Sequence, residues 1–292
     1  MSRVSHIDVV VLALLLSCLF SCGHCWDYCQ EHWCSRPALQ HVACNNNGSL
    51  GAQCKSEARL LPLSGDLQTF IVRQVNLYRN HVASGGFRDF APADRMASVQ
   101  WDPELAKLAE IAVKQCSLAT DNCRNTRRFK HVGQIVGHVI FSAHRFSDRQ
   151  LIGHKIHNWF KQYKKARLGF GPGEPRSDMN SFRQLIQERA THMGCGVLRQ
   201  PRYRWHQQFI VCNFARENVH HEPAYAVGHK AAAGCQTGTN PQFPHLCAIE
   251  EHYDVNAVDR FATKPSGHLA IKMKYSEDGM RAKGAKSRSK RY

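Results

Sequence analysis

The stretch "NSFRQLIQERATHMGCGV", Asn180 to Val197, places His192 three residues before Cys195 and carries a hydroxyl at Ser181. A histidine close to a thiol or hydroxyl is what a covalent nucleophile needs for activation, and His with Cys is also a zinc-ligand pair. Two further histidines, His131 and His138, flank the apolar run around Gln134. A lone histidine seldom makes a site without an orienting partner. Both are therefore read as surface or solvated cavity-wall residues.

Whether Cys195 is reactive depends on the compartment. In this chain of 292 residues, Arg3 and His6 precede the apolar run Val9 to Phe20, which is followed by Ser21, Cys22 and Gly23. That is the pattern of a signal peptide over residues 1–25, and the run is too short to span a bilayer. No later segment is apolar enough to cross a membrane, so secretion to the extracellular space is expected. Of thirteen cysteines, Cys18, Cys22 and Cys25 leave with the signal. The even remainder in an oxidising compartment predicts five disulfides, whose connectivity the spacing leaves open. Cys195 in "MGCGVL" and Cys212 in "FIVCNF" flank "RQPRYRWHQQ" as a hairpin, which favours a bridge between them over a thiolate or a zinc ligand. His192 then becomes a bystander.

The elements that carry these residues follow from periodicity. Asp66 to Ala83 puts Leu67, Phe70, Ile71, Val75, Tyr78 and Val82 on one helical stripe. "WDPELAKLAEIAVKQC" offers Asp102 as N-cap and Pro103 at the first helical position. Ser147 with Gln150 forms a capping box for a third helix through Tyr163. A short fourth holds Phe182, Leu185 and Ile186. "HVGQIVGHVIF" is β-branched and interrupted by Gly133 and Gly137, so it reads as a strand. Three strands among about four helices indicate a mixed α+β chain, and 43% hydrophobic residues suffice for its core.

Several ordered motifs, "YCQEHWCSRPALQHVACNNNGSLGAQC", "VQWDPELAKLAEIAVKQC", "DNCRNTRRF", "FIVCNFARENVHHEPAYAVG" and "GCQTGTNPQFPHLC", resemble the insect antigen 5 (venom allergen-like) branch of the CAP superfamily, from Tyr28 to Cys247. The resemblance implies an α-β-α sandwich with a central antiparallel sheet. It implies the pairs Cys29 with Cys44, Cys34 with Cys123, Cys54 with Cys116, and Cys195 with Cys212, leaving Cys235 for Cys247. Beside the signal, it divides the chain into a cysteine-rich extension over 26–60, the CAP domain over 61–220 and a disulfide extension over 221–250, and composition makes 251–292 a basic, disordered tail.

Many members of the superfamily hold a divalent metal in a central cavity with two histidines and two acids. The first histidine position, in a "HDxC" pattern, is Thr120 in "TDNC". The acidic position of a "GEN" or, in insects, "GQN" sequence is Gln134 in "GQI". The glutamate three residues after the helix tryptophan is Gln162 in "WFKQ", and the histidine of "GHFTQ" is Ser181 in "NSFRQ". Amides and hydroxyls are weak zinc ligands, so no metal or other cofactor is expected. The same losses leave Ser181 without a family histidine to activate it, and no catalytic residue is expected.

What remains is a non-enzymatic extracellular binding or signalling factor, with reproductive fluid or another glandular secretion as its setting. The resemblance names two partner classes, extracellular proteins or receptors and lipids. The alternative function is a sterol or fatty-acid carrier, and a hydrolase or protease is third. A formal net charge of +16 favours sulfated glycans or anionic surfaces, while secretion sets nucleic acid aside. Lys264 to Tyr292 carries nine lysines and arginines against Glu277 and Asp278, composition that suits a disordered basic tail, and the tail is where a sulfated glycan or anionic surface is expected to be met. Asn47 in "NGS" is a candidate N-glycosylation site.

Overall fold

The computed structural model describes residues 27–34, 38–87, 90–142, 146–166, 180–219 and 223–257. The signal-peptide expectation lies outside them, as does the tail expectation from residue 258 onward.

Helix α1 (Gly65–Ala83) starts at Ser64, whose hydroxyl accepts from the Leu67 N–H. It buries Ile71, Val75 and Val82. Helix α2 (Pro103–Val113) has Asp102 as its cap, accepting from the Leu105 N–H at 2.8 Å, with Pro103 at a position that has no intrahelical acceptor to lose. Helix α3 (Asp148–Phe160) opens with the reciprocal Ser147 and Gln150 capping box. A four-residue helix α4 (Tyr163–Ala166) follows, and α5 (Asn180–Leu185) buries Phe182 and Leu185.

The sheet is built on β4 (His192–Arg202) and β5 (Trp205–Phe214), paired antiparallel, with β3 (Gly133–Phe141) antiparallel on the outer side of β5. Two-residue strands β1 (Arg59–Leu60) and β2 (Gln100–Trp101) line the other edge of β4. β2 runs parallel to it, the one departure from an antiparallel sheet among the described strands. A small hairpin, β6 (Thr239–Asn240) and β7 (Phe243–Cys247), packs against α1. Helices α1, α3 and α5 cover one face of the large sheet around Ile135, Val197, Ile210 and Phe214, and α2 covers the other around Leu198, Phe209 and Val211. The result is an α-β-α sandwich.

Five disulfides staple it: Cys29–Cys44, Cys34–Cys123, Cys54–Cys116, Cys195–Cys212 and Cys235–Cys247. Cys195 and Cys212 are direct cross-strand partners. Three of the others fasten the strand-poor segment before Leu60 to itself and to residues 116–123.

The expectation of disorder from residue 251 does not hold for Glu251–Asn256, which is bound to the domain. The buried Glu251 carboxylate accepts from the Gln236 and Thr237 N–H groups, the Thr237 hydroxyl and Arg95. Asn256 accepts from the Lys130 N–H and donates to the Arg128 carbonyl. Composition does not reveal this, since the fixing groups lie far away in sequence. Burial alone would push the Glu251 carboxyl up, but these donors outweigh it and hold it down at about 2. A depressed carboxyl contributes stability that is present above the ordinary carboxylate range and lost as pH falls toward 2. Thermal melts taken from pH 6 to pH 2 are expected to show a loss of about 3 kcal/mol from this group. Glu251→Gln should be less stable at pH 6 and should lose that part of the acid dependence.

Candidate functional site

His192 and Cys195 do not form a site. Side chains alternate along a strand, so residues three apart on β4 point to opposite faces. Cys195 faces the α1/α3/α5 layer, and its sulfur is bonded to Cys212. The His192 ring is held on the other side by Arg128, whose Nη2 donates to Nε2 at 3.3 Å, while Nδ1 lies 2.9 Å from Thr191 Oγ1. Arg128 also pairs with Asp102 Oδ2 at 2.7 Å, so the histidine extends the ion pair that secures the cap of α2. Burial and the Arg128 cation lower its pKa, against a weaker pull from Asp102.

The four positions expected to line a common cavity fall into two pairs. β3 alternates likewise: Gly133 and Ile135 face the α3/α5 layer, where a Cβ on Gly133 would strike the Gln184 side chain, so Gln134 projects from the opposite face. Its Nε2 donates to Asp121 Oδ2 at 2.6 Å and Asn213 Oδ1 at 3.0 Å, and its Oε1 accepts from the Asp121 N–H at 3.0 Å. Asp121 is gripped in turn by Arg124, and Asn213 donates to the Leu105 carbonyl. Thr120, next to Asp121, is exposed. On the other face, Gln162 Oε1 accepts from the Phe182 N–H at 3.1 Å and so satisfies an orphan donor in the first turn of α5, one residue from Ser181. No hydrogen bond joins the two pairs among the described residues.

Asp121, which determines what Gln134 does, has no signal in the sequence beyond its place beside Thr120 in "TDNC". A network of Arg124, Asp121, Gln134 and Asn213 uses a neutral amide as donor and acceptor at once. These groups do not fit a metal ion: the amides are consumed by the fold, and hydroxyls are poor ligands. Among the described residues, no group of three or more His, Cys, Asp or Glu side chains is placed to hold one.

His131 and His138 have pKa values lowered chiefly by burial. Arg216 adds to the effect at His131, and Lys155 and Arg202 add to it at His138. Neither ring makes a hydrogen bond among the described residues. Ser181 has no histidine or carboxylate in hydrogen-bond reach there either, so no base, orienter and nucleophile are assembled. Asn47 is exposed, and its side chain accepts from the Ser49 N–H at 2.9 Å in a turn completed by Gly48 at φ +76°. Among the described residues no helix is long and apolar enough to cross a membrane.

A sandwich of this topology with these five bridges can be compared with known proteins. The family model "Cysteine-rich secretory protein family" (CAP) matches residues 72–214. Venom allergen-1 of Aedes aegypti is 31% identical over 254 residues, covering 85% of this chain and 96% of the relative. The chain belongs to the CAP family. Within it, Tabinhibitin 3 of Tabanus yao is 30% identical over 251 residues, covering 84% of this chain and 95% of the relative. The crystal structure of NaASP2 with Zn2+ aligns at a TM-score of 0.51 and 19% identity, covering 67% of this chain and 100% of that one, a likeness of fold. Both relatives extend well beyond the family model, so the likeness includes the disulfide-rich flanks of this CAP domain as well as its sandwich.

Proposed function

We propose that this CAP protein is a secreted, non-enzymatic binding factor that acts through its surface. The observation that carries the reading is the state of Gln134. Where the superfamily's metal-holding members place an acid, this chain has an amide whose donors and acceptor are all bound to Asp121 and Asn213. A carboxylate there would face Asp121 Oδ2, now 2.6 Å from the amide nitrogen, and repel it. The position therefore serves structure, and the chemistry that the superfamily's acid would support has no counterpart here. The five disulfides and the secreted relatives support an extracellular setting, where Asn47 is an accessible glycan acceptor. Tabinhibitin 3, by its name an inhibitor, supports action by binding.

The test is equilibrium titration of the purified secreted protein with zinc, a labelled sterol and a labelled fatty acid. None is expected to bind saturably at one to one. Gln134→Glu should restore no zinc affinity and should cost about 2 kcal/mol in urea unfolding, because a donor to Asp121 is replaced by a like charge. Stoichiometric lipid binding would establish the carrier function instead, and tight zinc binding would overturn the structural role of Gln134.

A further inference from the structure

Beyond the reach of α2, the sheet face carrying Leu198, Phe209 and Val211 continues to the tip of the β4–β5 hairpin. Gln200 pairs with Gln207 and Arg202 with Trp205 along this end. The segment Lys55–Glu57 lies across it, fixed by the Lys55 N–H donating to Gln200 Oε1 at 3.0 Å. Between them is an open depression of about 510 Å³, and buried Gln200 and Gln207 are among its lining residues.

The tip itself makes little sense as packing. Tyr203 occupies the first position of a two-residue turn at φ +55° and is 97% exposed. Left-handed backbone favours glycine or asparagine, and a tyrosine there costs on the order of 1 kcal/mol while burying almost nothing in return. Its neighbour Trp205 is 43% exposed, with the Arg204 guanidinium 5.9 Å from the ring centroid. Backbone strain at an exposed aromatic has its reason outside the domain.

Charge indicates what that reason is. Lys55, Arg202 and Arg204 are exposed, and none has a carboxylate partner among the described residues. Glu57 is the one acid among the residues that line the depression. Apart from Pro201 and Tyr203, its lining residues have charged, amide or hydroxyl side chains, so it lacks the cluster of apolar side chains that anchors a peptide residue. Flat aromatic faces beside exposed, unpaired cations and paired amides suit a chain of sugar rings bearing sulfates and hydroxyls.

We infer that the β4–β5 hairpin tip and the adjoining depression bind a sulfated polysaccharide. Lys55, Arg202 and Arg204 hold sulfate groups, Tyr203 and Trp205 stack on sugar rings, and Gln200 and Gln207 meet hydroxyls. The inference rests on the extracellular setting given under the proposed function and is independent of the cavity argument.

Heparin titrated into the full secreted chain at physiological salt is the direct test. Saturable binding is expected, weakened at least tenfold in Arg202→Gln/Arg204→Gln and several-fold in Tyr203→Gly. Tyr203→Gly relieves the strained turn, so its melting temperature should be equal to or above that of the parent, which separates lost binding from lost folding. The cationic chain end is present in every variant, so differences between variants report the hairpin alone. No binding, or equal binding by parent and hairpin variants, overturns the assignment. Equal binding of fully desulfated heparin, or full competition by polyglutamate at matched charge, overturns recognition of a sulfated sugar. Any of these results with no lipid or zinc bound leaves the reading of a surface-acting factor intact, with another surface responsible.

Discussion

Arg79→Ala is expected to lower stability by about 4 kcal/mol or more and to prevent accumulation of the folded protein in the medium. Arg79 lies on the apolar stripe of α1 and is fully buried. Its Nε and Nη2 donate to the Ala97 carbonyl at 3.0 and 2.8 Å, Nη1 donates to Leu185 at 2.9 Å and Gln187 at 2.8 Å, and Nη2 also reaches Glu188 at 3.3 Å. One guanidinium thus ties α1 to the segment before β2 and to the turn after α5. Alanine would leave four main-chain carbonyls without this donor and open a cavity between two layers. Burial lowers the Arg79 pKa to about 10, with Tyr253 and Glu188 pulling the other way, so the side chain stays charged at physiological pH. Arg79→Lys tests the geometry. A single ammonium has no planar fork to reach carbonyls on two separate segments, and it should recover less than half of the loss. Urea midpoints of the three proteins measure this, and a wild-type midpoint for Arg79→Lys would show that charge alone is sufficient.

The second large effect is expected at the sheet–helix contact. Gly194 and Gly196 flank Cys195 in β4 and face α2. A Cβ on Gly194 would lie 2.2 Å from the Ala106 nitrogen and 2.6 Å from the Asp102 carbonyl oxygen, and one on Gly196 would lie 2.6 Å from the Glu110 nitrogen. These are main-chain atoms, so no side-chain rotation relieves the overlap, and α2 must move off the sheet. Gly194→Ala is expected to cost about 3 kcal/mol and Gly196→Ala a similar amount, at the upper end for overpacking. Movement of α2 would also disturb Asp102 and its ion pair with Arg128. Gly65, with nothing within 4 Å of its Cβ position, is the control: Gly65→Ala should change stability by only a few tenths of a kcal/mol. Equal melting temperatures for Gly194→Ala and the parent would disprove the close approach.

Both effects show where the sequence was legible and where it was not. Gly194 and Gly196 were in plain view in "MGCGVL", yet nothing local says that a helix backbone lies against them. Arg79 stands four residues after Val75, itself four after Ile71, so helical spacing alone assigns it to the buried stripe. A reading that counts apolar residues passes over it because its acceptors come from residues 97, 185, 187 and 188. The same limit explains the cavity positions. The motifs identified Thr120, Gln134, Gln162 and Ser181 as lacking strong metal ligands, but only the alternation of β3 within the assembled sheet separates Gln134 from the other layer.

The sequence by itself determined the elements whose signal is local. Periodicity and caps define α1, α2 and α3, since a 3.6-residue repeat and a Ser or Asp acceptor act within one or two turns. Alternating and β-branched runs define β3 and the β4–β5 hairpin, and ordered motifs identify the CAP resemblance with its disulfide framework. Tertiary structure alone decided the rest. β1 and β2 are two residues each, too short to carry a period, and exist only because β4 offers them an edge. The binding of Glu251–Asn256, the engagement of Gln134 by Asp121 and the strained exposure of Tyr203 likewise depend on groups brought together by chain closure or on turn geometry. No repeat or composition along the chain encodes such contacts, because their free energy arises between segments and not within them.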